Sequence, residues 1–194
     1  MNKRSLSPQL LLGPIPAALI SCGRSGNEYN IITLAWAGVV NSAPPMVSIS
    51  IRPSRFSHGM IMETKEFVIN IAAAGQVDLA DGCGTVSGRD VDKFKHFGLT
   101  PVKGLLEYAP LIKECPINLE CVVEHTIDLP SHTLFIGKVI AAHANAEILD
   151  EKNRLDLNRC RPLGFCSGAY LASIAAGIDS GLLFEEKIKP ISIP

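Results

Sequence analysis

The stretch Arg52-Pro53-Ser54-Arg55-Phe56-Ser57-His58 carries the densest chemistry in this chain, two guanidinium groups and two hydroxyls close together. A guanidinium offers a rigid fork of donors and a permanent charge, and a serine hydroxyl donates to the oxygens of the same anion. Before it, in Pro44–Ile51, Met46, Ser48 and Ser50 alternate with Val47, Ile49 and Ile51, the period of a half-buried strand. After it, Ser57–Lys65 reads as a helix with Ser57 as its N-cap and with Ile61 and Met62 on its buried face. Donors, positive charge and a helix start at one place make a seat for a phosphate. The same residues also describe a solvated strand end followed by an ordinary cap.

Two further stretches bear on this. Thr33-Leu34-Ala35-Trp36 places small and polar residues in an otherwise apolar strand. Small residues let a flat ligand lie against main chain whose N–H and C=O groups read its edge, although Thr and Ala also fit a crowded barrel interior. Ser87–Phe94, SGRDVDKF, adds Arg89 and Lys93, either as cations of a binding loop or as the start of a charged surface helix. His132 is a hydrogen-bonded loop residue or a group that approaches a ligand.

Other chemistries are disfavoured. Gly82–Gly88, GCGTVSG, is not the dinucleotide fingerprint, and no phosphate-loop, zinc-protease or serine-hydrolase motif occurs. The five histidines are scattered, which argues against a metal site. Six cysteines, at 22, 83, 115, 121, 160 and 166, include no C-x-x-C pair and are too sparse for a disulfide scaffold. They are expected to be free thiols in a reducing cytoplasm. Cys115 and Cys121 are expected on one face of one strand, while Cys83 is either buried or a redox-active neighbour of the ligand.

The elements that must position these groups follow from composition and pattern. With 194 residues, 47% hydrophobic, 19% charged and a net charge of −1, the chain is expected to be one globular domain, 1–194, that does not bind nucleic acid. Any anion site must therefore be a local cluster. No apolar run is long enough for a membrane span. Lys3, Arg4 and the apolar segment ending at Cys22 mimic a lipoprotein signal, but Pro14 and Pro16 interrupt it, and Ala17–Cys22 is read as a first strand. A turn at Gly23–Asn27 leads to a second strand, Asn30–Val40, and Pro44-Pro45 opens the third. Glu66–Ala72 is the fourth. A short helix around Leu79-Ala80, a Gly-rich loop Gly82–Gly88 and a helical turn Val91–Phe97 follow. Then come long strands Cys115–Ile127 and Thr133–Ala146, a last strand Pro162–Leu171, and an arm from about 172. Strands do not alternate with long helices, so the pattern predicts a mainly β, closed antiparallel barrel with a few short helices over its edge.

NIITLAWAGVVNSAPPMVSISIRPSRFSHGMI, EFVINI, CGTVSGRDVDKF, CPINLEC and HTLFIGKV, in this order and spacing, resemble the flavin reductase-like family of FMN-binding split-barrel proteins, and its flavoredoxin-type subgroup in particular. The resemblance spans about Ile15 to Tyr170. It implies a six-stranded antiparallel Greek-key barrel, a homodimer, and one FMN per subunit near the dimer interface. Carried over by residue, Thr33, Leu34, Ala35 and Trp36 line the isoalloxazine, and Ser48, Ile49 and Ser50 meet the ring and ribityl chain. Arg52, Ser54, Arg55 and Ser57 hold the phosphate end, and Ser87, Gly88 and Lys93 close over the cofactor. The turn Ser25-Gly26-Asn27-Glu28 departs from the Asp-Gly expected there. The implied function is hydride or electron transfer through bound FMN, with NAD(P)H or a redox protein as donor. It requires no general acid or nucleophile. A carrier that never meets a nicotinamide and a non-catalytic flavin sensor are the alternatives.

Overall fold

A computed structural model describes residues 3–172, and the arm expected from about 172 falls beyond the described residues. The elements run β1 (Ile15–Pro16), β2 (Ala18–Arg24), β3 (Glu28–Leu34), β4 (Ala37–Ser42), β5 (Pro45–Ile51), α1 (Phe56–Thr64), β6 (Glu66–Ile71), α2 (Val77–Thr85) and α3 (Lys93–His96). They continue with β7 (Pro101–Val102), β8 (Leu111–Ile112), β9 (Ile117–Asp128), β10 (Thr133–Ala144), α4 (Leu157–Cys160), β11 (Leu163–Cys166) and β12 (Ala169–Ala172).

One sheet dominates, with order β3-β2-β6-β9-β10-β5-β4 and antiparallel pairing throughout. Its outermost strands, β3 and β4, are consecutive in the chain and joined only by Ala35 and Trp36. Laid flat, seven strands would hold those edges roughly 29 Å apart. Leu34 to Ala37 reaches roughly 11 Å at full stretch. The sheet must therefore curl to bring β3 and β4 to a common corner, where Ser50 N donates to Trp36 O at 2.9 Å and continues the β4–β5 ladder. The architecture is a split barrel. The single strand expected over Asn30–Val40 is bent at Ala35–Trp36 into β3 and β4; counted as one, it gives the expected six strands.

Inside the barrel, Ile20, Ile49, Phe67 and Phe135 are fully buried in one cluster. The other face of β2 and β3 packs Leu19 and Ile31 under α2 and α3, with Cys83 and Phe94 in a second cluster. This explains why β2 is buried on both faces rather than alternating.

Local expectations change where packing decides. The Gly-rich loop is mostly helix: α2 absorbs Gly82, Cys83 and Gly84 because it lies tight on its neighbours. A Cβ at Gly82 would come within 2.6 Å of the Phe97 ring, and one at Gly84 within 3.3 Å of Thr33. Helix α1 starts at Phe56 with Arg55 as the extended N-cap, so Ser57 lies inside the first turn. Met60 and Ile61 take the buried face while Met62 is exposed. The expected last strand is the hairpin β11–β12, turned at Ser167 and Gly168, both at positive φ, and paired with β1. Cys115 precedes β9 and packs in the second cluster whereas Cys121 packs in the first, so they do not share a face.

The segment before β8 is tethered by two carboxylates. Glu66 accepts from the backbone N–H groups of Glu107, Tyr108 and Ala109. Glu120, fully buried, accepts from Leu105 N and Leu106 N and pairs with His143 Nε2 at 2.7 Å. Removing one partner of a buried polar cluster strands the others without water. Glu120→Ala is expected to lower the free energy of unfolding by about 3–5 kcal/mol in urea titrations.

Candidate functional site

The bend at Ala35–Trp36 opens a groove along the barrel wall. At one end is a cavity of about 90 Å³ between β3, the turn into α1 and the segment entering α3. Ser54, Arg55, Ser57, Ser87, Gly88 and Lys93 all line it, although they lie in two stretches far apart in the chain. Asn30 and Arg89 join them, and among the described residues no carboxylate lines the cavity.

Lys93 is the most telling of these groups. It is 3% exposed. Its Nζ donates to Ile31 O and Cys83 O, each at 2.6 Å, leaving one N–H of the ammonium for the cavity. Burial pulls its pKa below the ordinary lysine value; the thiols of Cys83 and Cys22 oppose that, and Arg55 adds to it. Neither Lys93, Arg55 nor Arg89 forms an ion pair with a carboxylate among the described residues. A desolvated cation without a counter-charge is costly, and an anion in the cavity removes that cost.

Asn30 adds a second sign of the same kind. Its Nδ2 donates to Ser57 Oγ at 2.8 Å, while its buried Oδ1 has no partner among the described residues. Turned about its amide axis, Asn30 accepts from the Ser57 hydroxyl and presents Nδ2 to the cavity as a donor, which an anion would satisfy. At Gly88 any Cβ would collide with Asn30 and the Phe56 ring, so the main chain passes bare against the cavity. Arg89 reaches from its loop to donate to Ser54 O at 3.1 Å, tying the two lining stretches together. The cavity thus suits the terminal phosphate of a ligand.

The groove continues as a cleft of about 360 Å³ that shares Arg55 and Gly84 with the first cavity. Thr33, Leu34, Trp36 and Ser50 line this cleft, as do Arg52 and His132. Arg52 is therefore set apart from Ser54 and Ser57: it stands at mid-groove rather than in the phosphate cavity. Thr33 Oγ1 donates to Ala80 O at 2.5 Å, which fixes α2 against the strand and uses the hydroxyl proton. The Trp36 indole packs on the His132 imidazole with ring centroids 4.9 Å apart. Burial and the neighbouring Arg52 charge hold the His132 pKa below the usual histidine value. The structure places this histidine against the groove of its own chain.

Past Trp36 the lining turns apolar. Ala35 and Ser48 lie there with Ile15 and Phe165, in a cavity of about 370 Å³ that Leu10 and Leu12 also border. Ile49 does not share this surface. Ser48 and Ser50 face outward on β5, so by strand alternation Ile49 faces inward and is fully buried in the core; only its main chain reaches the groove.

Cys83 resolves to the buried alternative: its thiol is fully enclosed and pushed up to about 11 by desolvation, with Lys93 opposing. His58 has a structural part, its Nε2 meeting Thr133 Oγ1 at 2.9 Å while that hydroxyl donates to Asp128 at 3.0 Å, which ties α1 to the β9–β10 hairpin. Sequence reasoning missed Asn30, Gly84 and Phe56 as lining residues. A lone asparagine between Tyr29 and Ile31 in a buried strand was the available signal for the first.

Fold and site together define a split barrel with a cation-lined cavity on the barrel wall and a groove leading away from it. The chain belongs to the flavin reductase like domain family, whose model matches residues 13–172. The flavoredoxin of Desulfovibrio vulgaris (Miyazaki F) superposes with a TM-score of 0.84 at 33% identity, covering 92% of this chain and 99% of that one. An FMN-binding protein from Thermus thermophilus superposes with a TM-score of 0.75 at 26% identity, covering 88% and 96%. An uncharacterised protein of Pyrococcus abyssi is 37% identical over 131 residues, 68% of this chain and 74% of its own.

Inorganic phosphate, compared with chloride at equal ionic strength, is expected to raise the melting temperature of the ligand-free protein, since a ligand bound only by the folded state stabilises it. Arg55→Ala is expected to shrink that rise in a thermal-shift series. Thiol reactivity gives an independent check. Burial pushes Cys22, Cys115 and Cys121 up to about 12, while Cys166 is part exposed. Iodoacetamide in mildly alkaline buffer is expected to label Cys166 well before these three, which react fully only after denaturation, as mass spectrometry would show.

Proposed function

We propose that the groove holds FMN and that the protein transfers hydride or single electrons through it. The observation that carries this is a cavity that, among the described residues, has no carboxylate, a buried Lys93 without an ion pair and an unsatisfied Asn30, lying at the end of a groove along Thr33–Trp36 and Ser50. The phosphate belongs in that cavity, on Lys93, Arg55, Ser54, Ser57, Ser87 and the main chain at Gly88. The ribityl chain and ring lie along Thr33–Trp36, Ser48 and Ser50. The names of the similar proteins, a flavoredoxin and an FMN-binding protein, support the same cofactor.

FMN supplies the redox chemistry when bound, and the chain supplies position and charge. Lys93, Arg55 and Arg89 neutralise the phosphate. Main-chain groups at Ala35 and Trp36 read the ring's edge. Arg52, at mid-groove, puts a positive charge beside the part of the ligand that gains electrons, which favours its reduced anionic form. Trp36, at 47% exposure, and the apolar cavity beyond it leave room for a small planar electron donor or acceptor to reach the ring. That favours NAD(P)H as donor.

Strand β4 is a sheet edge with Val39 83% exposed and Val40 49% exposed. An apolar edge of this kind calls for cover, and a second copy of the chain provides it as a homodimer. Six free cysteines suit a reducing cytoplasm.

The purified protein is expected to be yellow, to carry FMN at one per chain, and to elute at twice the chain mass in light-scattering chromatography. Arg55→Ala is expected to weaken FMN binding by about 1–3 kcal/mol, and Arg52→Ala to weaken it less. Anaerobic NADH or NADPH is expected to bleach the colour. A yellow protein bleached only by a reduced redox protein would overturn the nicotinamide assignment. A colourless protein that takes up no FMN would overturn the cofactor.

A further inference from the structure

Lys93 is a nucleophile as well as a cation, and electron transfer through a flavin makes no use of that. The residue is 3% exposed and lines the anion cavity. Its Nζ lies 2.6 Å from both Ile31 O and Cys83 O. A neutral primary amine has two N–H groups and one lone pair. The two carbonyls accept both N–H groups, so the lone pair takes the remaining direction, towards the cavity. The neutral amine is thus fully satisfied in the empty site. The ammonium form is not: it has a third N–H and a charge for which the described residues offer neither an ion pair nor a carboxylate in the cavity wall. The titratable and charged groups around it are Arg55 and Arg89, which line the cavity, and the thiols of Cys22 and Cys83. Burial and the Arg55 charge favour the neutral amine, and the thiols oppose that. A lysine that is desolvated, or set beside another cation, is an activated nucleophile.

The electrophile that suits this site is small and becomes an anion on addition. The cavity measures about 90 Å³, and its wall is rich in donors: Arg55, Arg89, the Ser57 hydroxyl and, once turned, the Asn30 amide. An aldehyde that condenses with the amine loses its oxygen as water and leaves those donors nothing to bind. Carbon dioxide keeps both oxygens. We propose that Lys93 captures carbon dioxide as a carbamate when the cavity is empty. The Nζ lone pair forms an N–C bond, one C=O electron pair moves onto oxygen, and the nitrogen releases a proton to solvent, which gives Lys–NH–COO⁻ with no change of oxidation state. Starting from the ammonium, a second proton leaves first. The carbamate nitrogen keeps one N–H, so one of the two carbonyls gives up its donor. In return the new carboxylate supplies the counter-charge that Arg55 and Arg89 lack, with the two-oxygen geometry that a guanidinium fork binds. Carbamate and phosphate need the same cavity and exclude one another. The capture stands on the cavity itself; its consequence, that carbon dioxide opposes FMN binding, rests on the flavin reading above.

Flavin-free wild-type protein is incubated with isotopically labelled bicarbonate in mildly alkaline buffer, the carbamate is trapped as its ethyl ester with triethyloxonium, and peptides are analysed by mass spectrometry. Label is expected on the peptide that contains Lys93, well above that on the exposed Lys95, and is expected to be lost when FMN or inorganic phosphate saturates the protein first. In calorimetric titrations bicarbonate, compared with chloride at equal ionic strength, is expected to raise the FMN Kd about threefold or more. Lys93→Arg keeps the charge and removes the amine, so its FMN Kd is expected to be the same in both salts. No label at Lys93, or no more there than at Lys95, overturns the carbamate. Label that neither FMN nor phosphate displaces overturns it as well. A bicarbonate effect that persists in Lys93→Arg is competition by a plain anion and also overturns it. Label displaced by phosphate but not by FMN upholds the carbamate and removes the flavin reading. The trapping uses only wild-type protein, so it decides the matter even if Lys93→Arg fails to fold.

Discussion

Everything in this molecule depends on the two-residue joint at Ala35 and Trp36. It ties opposite edges of one sheet together, so the sheet has no flat alternative and must close. The same joint interrupts the wall of strands, and a groove opens where the interruption falls. Both residues of the joint, Ala35 and Trp36, border that groove. Closure and binding surface thus have a common origin.

Charge is organised around that groove in a gradient. At one end lies a pocket lined by cations and, among the described residues, by no carboxylate; at mid-groove stand the more exposed Arg52 and His132; past Trp36 the lining is apolar. The whole chain is nearly neutral at −1, so this segregation is local. Lys93 marks its deepest point. Most buried lysines find a carboxylate, and this one is held by two carbonyls instead, which orient it without neutralising it.

The sequence was most legible where a single period or residue type governs the outcome. The alternation in Pro44–Ile51 gave β5 and correctly turned Ser48 and Ser50 outward, and the same alternation already assigned Ile49 to the interior even though the family resemblance placed it near the ligand. The residue types at Arg52–Ser57 allow an anion seat or a solvated strand end, and the separation of Arg52 from Ser54 and Ser57 depends on how the chain turns into α1, which composition does not encode. Glycines misled in α2. Gly82 and Gly84 read as loop residues, but they are helical because Phe97 and Thr33 press against them. Asn30 was overlooked because its partners, Ser57 and Gly88, become neighbours only when the barrel closes.

The anion pocket is assembled from three separate pieces of chain: Asn30 on β3, Ser57 in α1, and the run from Ser87 to Lys93. Direct hydrogen bonds join them: Asn30 to Ser57, Arg89 to Ser54, and Lys93 Nζ to Ile31 O beside Asn30. The Thr33 hydroxyl and the apolar cluster of Ile31, Cys83 and Phe94 hold α2 and α3 on β3 as well. A molecule seated among the three pieces adds one more rivet to a seam already stitched, and any opening of that corner then has to release it first.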